Sequence, residues 1–518
     1  MNAVLVSSPA LALVPLLLAA AWLLIADRLG GGLPALWART VAVAATVISA
    51  VGVGVTAWTR NQIDIDWIPA LGVRLDLTVD GISAPLIVMT ALVGLIAVVL
   101  PHEADEDPSV PAITAPLAPG QPQPGTATYY GCLVLVLFGA LLTFMARDAV
   151  VFFLGFETVL VPMWVLIARH GDAAEASKRD SAAVRFLSVT AIGSMLMLVG
   201  ILVIATATGS TDLDVWAGQG GAAMSGPTQL AAAILLVIGL GLKVPIWPLH
   251  TWLPWVHATA PTAGSVLLAA VLLKMGTYGI VRLVLPAVPD GFDDVAPVLA
   301  GCAVIGIIWA SLAALVESDL KRLIAWSSIA HLGFVVLGLA AGTEAGLQAA
   351  LFGNIAHGII SALLFVVVGA LKHRWGSADL RAPYAAVREV APRLGFGLIV
   401  GMAASMGLPG LAGFWGEIGA IYAAWAPADA RHDGWFTLFA VLAAVGAAVA
   451  AAYGVRVLRL VWAGDRTRPV IGDANPVERL SIAVLVAVIV ALGVYPLALL
   501  EITEPAVAAL LMTVGGSG

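Results

Sequence analysis

An all-α polytopic membrane protein is the fold this sequence predicts, and three observations predict it. The 518 residues are 61% hydrophobic and only 11% charged, a composition no soluble globular domain shares. Their apolar residues gather into fourteen runs, each about as long as the roughly 17–25 residues that a 30 Å hydrocarbon layer demands. The basic residues are also segregated: 18 of the 25 fall in the loops after odd-numbered runs or, for Arg456 and Arg459, near the end of the thirteenth. By the positive-inside rule those loops are cytoplasmic and both termini face outward.

The first runs are Pro9–Ile25, Val41–Trp58 and Ile82–Leu100. The first lacks the basic segment of a signal peptide and reads as a span. Before the third, Ile63–Trp67 and Val73–Asp80 alternate apolar and polar residues with period two, which predicts a small hairpin on the outer face. His102–Ala127 carries six prolines and reads as a cytoplasmic linker. Then come Tyr129–Met145, Ala149–Ala168, Phe186–Ala207, Gln229–Pro254 and Pro261–Leu285, followed by Val295–Val316, Leu323–Ala341, Leu347–Leu371, Leu394–Trp425, Trp435–Trp462 and Leu480–Leu500.

Two of these runs are interrupted. In the seventh, Pro245 and Pro248 remove backbone donors, so the helix breaks at depth. In the twelfth, Gly407, Pro409, Gly410 and Gly413 interrupt the apolar run. Interruptions at corresponding places in two halves point to inverted repeats with sites near the midplane. Runs four to eight and nine to thirteen form the two five-helix units, and an odd number per unit makes them opposite in orientation. The chain therefore divides into 1–128, 129–285, 293–465 and 466–518, the last holding the fourteenth helix.

Charges inside the runs carry the functional reading. Lys243, Lys274, Glu157 and Glu417 all sit within apolar stretches, where a charge costs roughly 3 kcal/mol even on the lenient insertion scale. Such groups pair, stay neutral or move protons. His331 and His357 lie in the tenth and eleventh runs, between Lys274 and Glu417 in the chain. Imidazole accepts and donates near neutrality, so the six residues read as a proton relay, with Ser327 and Ser328 as holders of water. His250 and His257 follow the first break and read as a cytoplasmic uptake point. A structural ion pair between Glu157 and Lys243 that fixes helix packing is the plainer reading of that pair. Cys132 and Cys302 form no metal-ligand or disulfide spacing, and neither a GxGxxG fingerprint nor a metal cluster occurs. The net charge of -7 argues against nucleic acid.

Seven ordered segments give these residues a family likeness: DGISAPL (Asp80–Leu86), FFLGFETVLVPM (Phe152–Met163), LKVPIWPLHTWLP (Leu242–Pro254), APTAGSVLLAAVLLKMGTYG (Ala260–Gly279), AWSSIAHLGF (Ala325–Phe334), NIAHGIISALLF (Asn354–Phe365) and GLPGLAGFWGE (Gly407–Glu417). The chain resembles the antiporter-like membrane subunits of complex I and of Mrp-type cation/proton antiporters. The resemblance implies a glutamate–lysine pair (Glu157, Lys243), a central lysine (Lys274) and a terminal ionisable group (Glu417). It also implies proton transport driven by partner subunits that hold NADH, FMN, iron–sulfur clusters and quinone, this chain itself carrying no cofactor. The expected partners are the other membrane subunits, homologous antiporter-like chains among them, and the lipid bilayer. Lysine is usual at the Glu417 position; glutamate there is similar to the M branch of the complex I members. At Trp255–Thr259 the chain departs from the family, which commonly has two carboxylates there. A sodium/proton antiporter subunit, a hydrogenase-type relative and a scaffold locked by buried charges are the rival readings.

Overall fold

The structure is a computed structural model and describes residues 8–28, 33–100, 125–172, 176–381, 386–465 and 472–515. Nearly all of the linker 102–127 lies outside them, as do Arg466 and Arg468. Among the described residues, twelve helices are long and apolar enough to cross a membrane, and Ser83–Val99 is a shorter apolar helix. The twelfth run adds a pair of half-helices, Pro392–Ser405 and Ala412–Trp425.

Burial sorts these helices into an inner and an outer set. Thr262–Val284 is buried along its whole apolar window, and Leu320–Ala340 and Glu344–Trp375 are buried over 94% of theirs. Most of the others turn a face outward, as for Pro289–Val316, where Val298, Ile305, Trp309, Leu312 and Val316 are exposed. In a bilayer such faces meet lipid tails, which are as apolar as the side chains themselves. The three shielded helices carry Lys274, His331 and His357.

The hairpin forms as β1 (Ile63–Ile68) and β2 (Val73–Leu77), antiparallel, with Ile63 opposite Leu77 and Ile65 opposite Leu75. β2 stops short of Asp80 because that carboxylate accepts the backbone N–H groups of Ile82 and Ser83, both at 3.0 Å, and turns the chain into Ser83–Val99.

Both predicted breaks are present. The seventh run is Gly226–Lys243, an irregular stretch, then Leu253–Thr259. The carbonyls freed at depth find donors: Gly241 accepts from Ile246 N at 3.0 Å, and Leu242 from the Trp252 indole at 2.9 Å. In lipid that satisfaction is obligatory. In the twelfth run, Gly407 and Gly410 take φ of 66° and 89°, a left-handed region that disfavours a side chain.

Three features depart from the sequence reading. The fifth run is itself interrupted, as Ala149–Thr158 and Leu160–His170, because Pro162 withdraws the donor that would serve the Thr158 carbonyl. The eighth contains two π-helical stretches, Leu268–Leu272 and Ile280–Val284, on either side of Lys274. The fourteenth run is two helices rather than one: Pro476–Val494, started by an Asn475/Glu478 capping box, and Leu497–Gly515 beyond Pro496. Residues 466–518 thus hold a further helix, whose Thr503 contacts Gln348.

Candidate proton-transfer site

Lys274 lies midway along the shielded Thr262–Val284 helix and is wholly buried. Its ammonium donates to the Ala269 carbonyl at 2.5 Å, in the π-helical stretch just before it. On its other side it meets His357 Nδ1 at 2.5 Å. The rings of His357 and His331 follow, centroids 5.7 Å apart and inclined by 35°. His331 Nε2 then lies 3.2 Å from Glu417 Oε1. Four ionisable side chains from four runs thereby form one row.

The row borders a small cavity of about 20 Å³, room for roughly one water, lined by Ser327, Ser328, His331, His357, Ser361, Ser405 and Glu417 among apolar neighbours. A buried water needs two to four polar partners, and this lining supplies them. His331 is held at both ring nitrogens, Nδ1 to the Ser327 carbonyl at 2.5 Å and Nε2 to the Ser405 carbonyl at 2.8 Å. Carbonyls accept, so this geometry suits an imidazole with N–H on both sides, paired with the Glu417 carboxylate. The carboxylate itself rests against Gly407: a Cβ there would stand 2.6 Å from Glu417 Oε2. The left-handed turn of the break therefore makes the seat for the acid.

The first-half pair is looser. Lys243 is buried, with its ammonium 4.5 Å from the Phe156 ring centroid, a cation–π contact. Its charge interacts with that of Glu157, yet no ion pair within 4.0 Å joins them. Glu157 stands beside the kink at Val159, and its Oε1 is buried without a hydrogen-bond partner. These two groups are neighbours across a gap.

The two uptake histidines lie deeper than an open mouth requires. His250 is buried with its ring 5.6 Å from Trp326, and His257 is fully buried and stacked on Phe365 at 4.4 Å. Both ring nitrogens of His257 lack hydrogen-bond partners. Above its short helix opens a polar vestibule of about 280 Å³, lined by Asp172, Lys178, Trp255, Asp319, Arg322, Lys372, Asp379 and Arg381 among others. Trp255, which stands in the motif where the family has a carboxylate, carries two guanidiniums near its ring, Arg185 at 5.1 Å and Arg322 at 4.8 Å. Carboxylates from three other loops, Asp172, Asp319 and Asp379, line the same space. Burial pushes the Asp319 carboxyl above its ordinary value.

Sequence reasoning missed a second polar cluster. Asp80 binds Arg282, whose Nε donates to the Tyr278 hydroxyl at 3.1 Å, and that hydroxyl donates to the Phe144 carbonyl at 2.9 Å. Arg147 joins Asp80 at 3.6 Å. The signal was available in part: Lys274, Tyr278 and Arg282 recur every four residues along one helix face.

A polytopic helical membrane protein with a buried row of ionisable side chains is thus the class that fold and site define. The chain belongs to the family described as NADH:quinone oxidoreductase/Mrp antiporter, TM, whose model matches residues 146–445. It is 33% identical over 436 residues to NAD(P)H-quinone oxidoreductase chain 4 3 of Trichormus variabilis, covering 83% of this chain and 76% of that one. Chain 4 1 of Synechococcus sp. strain JA-2-3B'a(2-13) is 34% identical over 86% of this chain and 82% of its own length. In fold, the chain is similar to one from respiratory complex I of Thermus thermophilus with bound NADH (TM-score 0.83, 23% identity, 98% and 99% covered). It is likewise similar to one from the Mrp complex of Dietzia sp. DQ12-45-1b (TM-score 0.78, 24% identity, 98% and 51% covered).

Proposed function

We propose that this chain is the M-type proton-translocating subunit of a respiratory NADH:quinone oxidoreductase, complex I. The observation that carries the reading is the row Lys274, His357, His331, Glu417, in which Lys274 meets His357 at 2.5 Å, the two imidazole rings lie 5.7 Å apart and His331 stands 3.2 Å from Glu417. Such a row passes protons by short exchanges and performs no redox chemistry. NADH, FMN, iron–sulfur clusters and quinone belong to partner subunits, and their electron transfer supplies the energy. The chain's own part in the enzyme is translocation.

The mechanism follows from the gap between Glu157 and Lys243. A carboxylate nearby favours the ammonium, and one further away favours release of its proton. Each unit of pKa moves the proton by about 1.4 kcal/mol, so a small closing or opening of that gap drives a proton toward Lys274. From Lys274 it passes through His357 and His331 to Glu417. The vestibule over His257 is the uptake side, and the membrane is a bacterial cytoplasmic membrane with both chain termini outside, as the loop charges suggest. Two inverted repeats, with breaks at Pro245–Pro248 and Pro409–Gly410, place the stations at similar depth.

The test uses the whole complex in proteoliposomes, following quinone reduction and acidification together. Lys274→Met is expected to abolish coupled pumping while the subunit still assembles; pumping at the parental rate would discard the relay. Glu417, in place of the lysine usual in the family, speaks against the sodium/proton antiporter reading. Transport that requires sodium would reverse that choice.

A further inference from the structure

One buried polar group has no part in the row as described. Tyr453, in the helix Asp433–Val457, is fully buried, and its hydroxyl has no hydrogen-bond partner. A buried donor left unmade is costly, so its surroundings matter. The phenol faces the side chains of Ser405 and Ser327 and feels the charge of Glu417. Those two serines are the residues whose carbonyls hold both ring nitrogens of His331, and the Ser405 hydroxyl lies 3.4 Å from His331 Nε2. The helix is seated against the second break, since a Cβ on the next residue, Gly454, would stand 2.5 Å from Met406. Three residues beyond Tyr453, Arg456 donates to the Glu317 carbonyl at 2.8 Å on the basic-loop side.

We propose that Tyr453 is a positioning residue for proton transfer between His331 and Glu417, acting through Ser405 and Ser327. A hydroxyl both donates and accepts, so one water shared by the three hydroxyls completes their hydrogen bonds and ties the phenol to the couple. Through that tie the phenol fixes the imidazole against the carboxylate and sets how readily the proton leaves it. The charged groups that bear on it are His331 and Glu417, with His357 and Lys274 behind them and Arg456 on its own helix. The inference rests on the relay reading above.

The experiment compares Tyr453→Phe, Tyr453→Leu and Glu417→Gln in the assembled complex in proteoliposomes, with pumping measured across pH. Phenylalanine keeps the ring and loses only the hydroxyl. The expected result is pumping reduced roughly tenfold in Tyr453→Phe, the rate equivalent of one lost hydrogen bond, with a displaced pH profile and normal assembly. A parental rate and profile in Tyr453→Phe, with loss confined to Tyr453→Leu, would show a packing role and overturn the proposal. A proton leak without loss of transfer would overturn it equally. If Glu417→Gln also pumped normally, the relay itself would fall; if Glu417→Gln failed and Tyr453→Phe did not, only this inference would.

Discussion

Lys274 shows what a buried charge needs from its neighbours. A carbonyl from its own helix and an imidazole 83 residues away share its ammonium; the sequence singles out His357 as a relay residue, but neither its direct contact with Lys274 nor the Ala269 carbonyl was visible in a linear reading. The charges announced themselves because apolar runs make them conspicuous, but their pairing depends on which helices pack together. Replacing the terminal acid separates chemistry from charge. Glu417→Gln is expected to lower pumping by at least an order of magnitude, whereas Glu417→Lys retains part of it, measured by acidification of proteoliposomes; equal loss in both would argue against a generic carrier at that site. Asp80 gives a stability prediction of a different kind. Burial alone would raise its carboxyl, but the Arg282 guanidinium overrides that and holds it well below the usual carboxylate range. A depressed carboxylate contributes fully above its unfolded value of about 4, and the contribution fades only in strong acid. The tie is therefore constant across neutral pH. Asp80→Asn leaves Arg282 buried without a counter-charge, at a cost of about 3–5 kcal/mol, visible as a lower Tm or a loss of assembled complex.

At the scale of the element, the two broken helices were legible because proline and glycine act through the backbone and can be read one residue at a time. The π-helical stretches beside Lys274 were not, since no residue type marks them; the packing that produces them comes from other helices. The kink beside Glu157 lay between these cases, with Pro162 present but its effect on Thr158 passed over. The turn at Gly407 has two requirements that alanine cannot meet together: a left-handed φ of 66° and room for the Glu417 carboxylate. Gly407→Ala is expected to cost about 1–3 kcal/mol in backbone strain and to displace the acid from His331. Its pumping should fall below that of Gly410→Ala, where nothing lies near the added methyl; equal activity in the two would separate the seat from the strain.

Across the whole molecule, the three most shielded helices carry the central stations, and the outer helices present apolar faces. Composition and run length made that architecture readable, but not which runs were innermost, because the inner helices are no more apolar than the outer ones. The first-half pair reports on coupling between the halves. Lys243→Ala is expected to leave assembly intact and to depress pumping and quinone reduction together, since a stalled proton step holds back the electron transfer that drives it; unimpaired turnover would show the pair to be structural. The row from Lys274 to Glu417 has one more consequence. Lys274 and His331 each sit midway along their helices, so the row runs sideways through the membrane rather than across it. A membrane voltage does work only on charge displaced along its normal, roughly 2.3 kcal/mol per charge per 100 mV. In the proposed relay the central exchanges are therefore nearly blind to the electric field, and the burden of pumping uphill falls on the steps that load the row from one face and discharge it to the other.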